Sequence, residues 1–255
     1  MKTITPLHRE RPIETLARCG GYYECPKDAS GKRWGPLAGY AGRDEKGRQF
    51  VGDVYVNFAK AERHLPVLRD FAEKLAFQLD HQMRLKGFSA LGTKATGFCG
   101  APEGGKALAV MLANFCGNQY IFPEKKVTVA ATPSSREISE LVFDRHEPEK
   151  GDLWWITEDV CNNFSTTKTM VDLIESFGAQ VAGIICFLNR SLEVGGEYRP
   201  KDGLVLPVIM LIRQKIEQYT QDDPAVAEDI RAGNVVWKPK NDWDKLAGTM
   251  AAAKS

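Results

Sequence analysis

Two adjacent carboxylates, Glu158 and Asp159, close a short apolar run, Leu153–Ile156, and a polar turn of Asn162, Asn163, Phe164, Ser165 and Thr166 follows at once. Such a turn before a helix offers unpaired backbone N–H groups at a positive dipole end, which is a phosphate site. Paired acids on the same edge hold sugar hydroxyls, or Mg²⁺ through water. Together they suit a sugar phosphate. The same spacing also fits a solvated acidic pair ending a strand, with Ser165 or Thr166 as an ordinary helix N-cap.

The elements that must position these residues are legible around them. Met170, Val171, Leu173, Ile174 and Phe177 predict the apolar face of a helix, with Gly178 closing it. Val181–Leu188 is long enough for a second buried strand. A strand-helix-strand unit implies parallel pairing with a right-handed crossover. Ligands of open parallel sheets bind beyond the C-terminal strand ends, where the acidic pair lies.

The segment Trp155-Ile156-Thr157-Glu158-Asp159-Val160 resembles the ribose-phosphate signature of the type I phosphoribosyltransferases, most closely the orotate-specific branch. The second strand ends in Asn189-Arg190, where that branch has Asp-Arg. The resemblance implies an α/β fold with a mostly parallel central sheet flanked by helices and a small hood of N-terminal strands. It implies transfer of the 5-phosphoribosyl group from phosphoribosyl pyrophosphate to a nucleobase, orotate first, with Mg²⁺. Glu158 and Asp159 would hold the ribose and the metal, and Asn162, Asn163, Ser165 and Thr166 the 5-phosphate. Arg190 would fork onto the orotate carboxylate. The family turn carries glycine, which this chain lacks; Asn163 is the residue expected to supply a left-handed position.

Other segments extend the resemblance. Gly100-Ala101-Pro102-Glu103-Gly104-Gly105 stands where the family binds pyrophosphate, which implicates Gly104 and Gly105; Lys106 there has no family counterpart. Phe122-Pro123-Glu124-Lys125-Lys126-Val127-Thr128 stands where a mobile lid carries the catalytic lysine. Glu124 and Lys126 match, while Phe122, Pro123 and Thr128 depart. The resemblance makes Lys126 and Asp159 catalytic, with the lysine reaching a neighbouring subunit, so a homodimer is expected. Arg136, Arg145 and His146 are candidates for the missing positive charge. Gly21–Gly31 resembles the family segment whose lysine contacts the base, here Lys27; a solvated turn lysine reads as well.

Composition sets the bounds. The chain has 255 residues, 43% hydrophobic and 26% charged, with net charge +1. That balance gives no reason to expect nucleic acid or an acidic membrane. The longest apolar run, Leu204–Ile212, contains Pro207 and is too short to span a bilayer. No secretory signal is read at the start, and the six cysteines form no CxxC pair, so a cytoplasmic protein with reduced core thiols is expected. One domain is expected: a hood over about 1–60, a core over about 61–190 and a helical extension over about 191–255. Helices are predicted at Leu65–Lys86, Lys106–Phe115, Val208–Tyr219, Pro224–Arg231 and Asp242–Ala252, and strands at Gln119–Phe122 and near Leu141–Phe143. A non-catalytic, nucleotide-sensing relative and a transferase for another base are the alternatives.

Overall fold

The computed structural model describes residues 3–7, 9–85, 95–129 and 138–252; Arg136 lies outside them. In chain order the elements are α1 (Pro12–Arg18), β1 (Tyr22–Glu24), β2 (Leu37–Arg43), β3 (Gln49–Gly52), β4 (Val54–Val56), α2 (Ala59–Glu62) and α3 (Leu65–Leu85). There follow β5 (Gly97–Gly100), α4 (Gly105–Cys116), β6 (Gln119–Ile121), β7 (Glu124–Val129), β8 (Ile138–Val142), β9 (Leu153–Cys161) and α5 (Ser165–Ser176). The chain ends with β10 (Gln180–Asn189), β11 (Glu197–Lys201), β12 (Leu204–Arg213), α6 (Ala227–Arg231), β13 (Val235–Val236) and α7 (Trp243–Ala252). They fall into two compact units, Met1–Pro6 with Glu62–Gln214, and Leu7–Ala61 with Lys215–Ser255.

The first unit is built on a six-stranded sheet in the order β11-β12-β10-β9-β5-β6. All its pairings are parallel except β11 with β12. Its strands read as continuous apolar runs because both faces are covered. In β10, Ile184 and Cys186 join Met170, Val171 and Ile174 of α5 in one core cluster. Phe187 turns to the opposite face and meets Phe71 of α3, ring centroids 4.6 Å apart. Along α3, Val67, Leu68, Phe71, Ala72, Leu75, Ala76 and Leu79 are buried at helical spacing. Each fully buried Leu or Phe of this kind contributes about 1.5–3 kcal/mol.

Two expectations are corrected here. The predicted helix Val208–Tyr219 is the strand β12 up to Arg213, paired in parallel with β10 from Ile184↔Val208 to Asn189↔Arg213. A run buried on both faces shows no alternation, so its period does not distinguish strand from helix. The start of the expected helical extension contains the strand β11. The expected helical extension over 191–255 is not one: its described residues, up to Ala252, hold the strands β11, β12 and β13 beside the helices α6 and α7.

In the second unit, β2 pairs antiparallel with β3 and in parallel with β13, and β1 pairs antiparallel with β4. Tyr23, Cys25, Val236, Trp243 and Leu246 form one of its cores. Five of the six thiols are buried, and none is in a disulfide. No helix among the described residues is long and apolar enough to cross a membrane.

Candidate active site

Parallel pairing brings the C-terminal ends of β5, β6, β9, β10 and β12 to one edge of the first unit's sheet. The strand carrying the acids is longer than its apolar run suggests: β9 continues through Glu158 and Asp159 to Cys161. Glu158 is therefore buried, 9% exposed, beside Cys186 of β10 in the register. Burial pushes its carboxyl well above the ordinary value of 4.5; the adjacent Asp159 adds to the rise, and Lys125 opposes it. Asp159 is turned the other way, and its Oδ1 accepts the Val160 N–H at 2.7 Å.

Two more carboxylates gather at this edge that the sequence reading did not single out. Burial raises the Glu62 carboxyl, and the charges of Asp159 and Glu103 raise it further. Glu103 lies in the glycine-rich loop with φ 70°. Only three-dimensional proximity links these residues, so no spacing along the chain announces them. Among the described residues no three metal-ligating side chains converge on a point. The donor set is thus no protein cage; it suits Mg²⁺ taken through one or two carboxylates, water and phosphate oxygens.

The turn after β9 differs from expectation in one residue. Phe164, not Asn163, takes the left-handed conformation, φ 58° and ψ 19°. Asn163 instead uses its side chain, whose Oδ1 accepts the Ser165 N–H at 3.2 Å and the Ser165 hydroxyl at 3.0 Å. A non-glycine residue in this region costs about 1–2 kcal/mol. Burial offsets the cost: Phe164 is 3% exposed and stacks on Tyr198 with centroids 4.7 Å apart. Ser165 and Thr166 occupy the first two positions of α5 and are exposed. By helix geometry the amides of Thr166 and Thr167 have no partner inside the helix.

The glycine loop lies against this edge because its glycines allow it. A Cβ on Gly104 would run into the Asp159 carboxylate, and one on Gly105 into the Thr157 carbonyl. A Cβ on Gly100 would stand 2.8 Å from the Lys106 Cα. The start of α4 is thereby pressed onto the ends of β5 and β9. Lys106, at the second position of α4, carries its Nζ over the Phe122 ring, 4.5 Å from the centroid.

The lid segment is a hairpin in this structure, β7 paired with β8, with Lys125 opposite Leu141 and Lys126 opposite Glu140. Cross-strand partners share a face, and consecutive residues alternate. Leu141 packs on the core cluster; Lys125, itself exposed, shares the face of Leu141, while Lys126 shares the other with Glu140. Lys125 is accordingly the lysine whose charge reaches Glu158. His146 does not supply charge at the acidic edge: it lines a cavity with Gln119 and Asp152, at the opposite ends of β6 and β9.

Arg190 follows β10 directly and is 8% exposed; its backbone N–H donates to the Cys161 carbonyl at 2.9 Å. The turn around it is fixed by Asn189, whose side-chain amide donates to the Val194 and Gly195 carbonyls, both at 3.0 Å. Arg213 ties down the same turn through the Asn189 and Ser191 carbonyls. Lys27 belongs to the second unit, where its Nζ donates to Asp53 Oδ2 at 2.7 Å. Burial works to raise the Asp53 carboxyl, but hydrogen bonds from Arg33 and Lys27 prevail and hold it below its ordinary value. Lys27 and Asp53 line a cavity of about 780 Å³ together with Tyr22, Glu24 and Tyr219.

No protein-family model matches this chain, and no curated protein matches it. Among solved structures, the UMP synthase of Leishmania donovani superposes with a TM-score of 0.51 at 14% identity, covering 95% of this chain and 41% of that one. The fold is that of the type I phosphoribosyltransferases. The chain spans less than half the length of that UMP synthase. The orotate phosphoribosyltransferase of Aeropyrum pernix, at 16% identity and a TM-score of 0.49, matches over 78% of this chain and 92% of its own. On the phosphoribosyltransferase fold of this chain, the acidic strand end, the polar turn and the glycine loop occupy one sheet edge.

Proposed function

We propose that the chain transfers a 5-phosphoribosyl group from phosphoribosyl pyrophosphate to a nucleobase, releasing pyrophosphate. The observation that carries this reading is the meeting of three parts at one edge: the buried Glu158 with Asp159, the turn opening α5, and Gly104 packed against the Asp159 carboxylate. Glu158 and Asp159 would hold the ribose hydroxyls. Asn162, Asn163, Ser165 and Thr166 would receive the 5-phosphate with the α5 amides. Gly104 and Gly105 let the backbone approach the diphosphate.

In the reaction, a base nitrogen attacks the anomeric carbon as the bond to the diphosphate oxygen breaks, and the diphosphate departs with the electron pair. Asp159 and Glu158 fix the ribose so that attack is effectively intramolecular. Lys126 would stabilise the departing charge from the partner of a homodimer. Magnesium, held by Glu158 and Asp159 through water, would neutralise part of the diphosphate charge when bound. For the base, orotate is our first candidate, its carboxylate received by the Arg190 guanidinium. Lys27, the other base contact that the resemblance implies, is held by Asp53 within the second unit. Reduced buried thiols accord with a cytoplasmic setting.

A second reading, a nucleotide-sensing relative without turnover, is favoured by one observation: Phe164, buried and stacked on Tyr198, fixes the turn where flexibility would serve the phosphate. One experiment separates the two. Phosphoribosyl pyrophosphate with Mg²⁺ should raise the melting temperature, and pyrophosphate should then appear on adding orotate or another base. Binding without turnover on any base selects the sensing reading. Binding that survives in both Glu158→Ala and Asp159→Ala overturns both.

A further inference from the structure

The edge where the proposed function places a diphosphate is acidic: the charges of Asp159 and Glu103 act on Glu62, and that of Asp159 on Glu158. A polyanion approaching it needs a cation close to the loop. Lys125 shares a hairpin face with Leu141, and Lys126 lies on the opposite face of that hairpin. Lys106 is placed otherwise. It sits in the first turn of α4, two residues after Gly104, whose Cα lies against the Asp159 carboxyl. Its Cα is packed on Gly100 at the end of β5, so its backbone cannot drift from the sheet edge.

The lysine chain is also held. Its Nζ stands 4.5 Å from the centroid of Phe122, the residue that follows β6, and Phe122 in turn stacks on Tyr120 with centroids 6.1 Å apart. A ring face attracts an ammonium without neutralising it. Among the described residues no ion pair includes Lys106. Its charge therefore remains available to an anion, and its rotamers are restricted before the anion arrives, which lowers the entropy cost of binding.

We propose that Lys106, braced by the Phe122 ring, is the cation that receives the substrate diphosphate from within the same subunit. The proposal rests on the phosphoribosyl reading of this edge. It makes Lys106 a diphosphate-specific group, separate from the ribose-phosphate contacts of the α5 turn. A lysine at this place extends along the helix start and adds a point charge to the backbone amides there.

The test measures binding of two probes by calorimetry, inorganic pyrophosphate with magnesium and ribose 5-phosphate, with melting temperatures as the check on folding. Lys106→Ala should weaken pyrophosphate by on the order of 10–100-fold, the scale of one charge-assisted hydrogen bond, and leave ribose 5-phosphate unchanged. Lys106→Arg should restore most of the loss. Phe122→Leu, which keeps apolar bulk and removes the ring, should weaken pyrophosphate by roughly 2–5-fold. If wild type binds both probes and Lys106→Ala binds pyrophosphate equally well, the role of Lys106 is refuted while the functional reading stands. Equal loss of both probes refutes it as well. If wild type binds neither probe, the phosphoribosyl reading falls and takes this inference with it.

Discussion

Phe164 offers a test in which the usual order of two substitutions should reverse. It is held at φ 58°, buried at 3% exposure and stacked on Tyr198. Truncating a buried phenylalanine to alanine costs about 3–5 kcal/mol. Alanine at this position keeps the left-handed strain, about 1–2 kcal/mol, because it keeps a Cβ. Glycine removes the strain but adds about 0.5–1 kcal/mol of unfolded-state freedom. Phe164→Gly should therefore cost about 2–4 kcal/mol, and should be more stable than Phe164→Ala by about 0.5–1 kcal/mol. At an ordinary backbone position the alanine variant would be the more stable. Urea unfolding followed by circular dichroism decides it, provided the m-values agree so that midpoints compare directly. An alanine variant as stable as the glycine variant, or more so, would show that the turn is not strained at Phe164. The account of Asn163 as a side-chain cap rather than the left-handed residue would fall with it.

Glu158 and the two hairpin lysines give the other expectations. The folded chain holds the Glu158 proton more tightly than its ordinary value of 4.5 implies, so the folded state binds more protons in the window above that value. The contribution of Glu158 to stability is then fully present below about pH 4.5 and is lost as pH rises to the folded value. Glu158→Gln should melt higher than wild type near pH 8, with the gap closing toward pH 4; a gap independent of pH would refute the shift. Lys126→Ala should lower kcat by on the order of 10²–10³ with little change in KM, the mark of a contact made in the transition state. Mixing it with Glu158→Ala should restore activity if the lysine serves a partner subunit. Inactive, verified heterodimers would confine Lys126 to its own subunit or to no role, and would turn attention to Lys125.

Much of the sheet edge was legible because its parts are local. The acidic pair, the polar turn and the helix with Gly178 lie in one uninterrupted strand-helix-strand segment, and spacing along it maps directly onto structure. Hydrophobicity does not show the extent of β9, because Thr157, Glu158 and Asp159 end the apolar run without ending the pairing. Over β12 the apolar residues follow one another without alternation, so hydrophobicity predicts a helix from Val208 where a strand runs. Non-local relations left no trace at all. Glu62 and Glu103 reach Asp159 only in the folded unit; Lys27 was read for its resemblance, while its partner Asp53 sits in a different strand region of the same unit.

In the hairpin, residue type and spacing leave open which face each lysine takes. Matching residue types along the chain favours Lys126, because Glu124 and Lys126 keep the expected spacing. A strand adds a constraint that matching does not: neighbours alternate faces. Once Leu141 is fixed on the core, Lys125 must share its face and Lys126 must oppose it. A catalytic Lys126 then requires that its outward face meet a substrate from elsewhere, which is what a partner subunit would provide. The homodimer and the assignment of Lys126 are thus one proposition: a monomeric active enzyme would contradict both, and would leave Lys106 and Lys125 as the cations of the acidic edge.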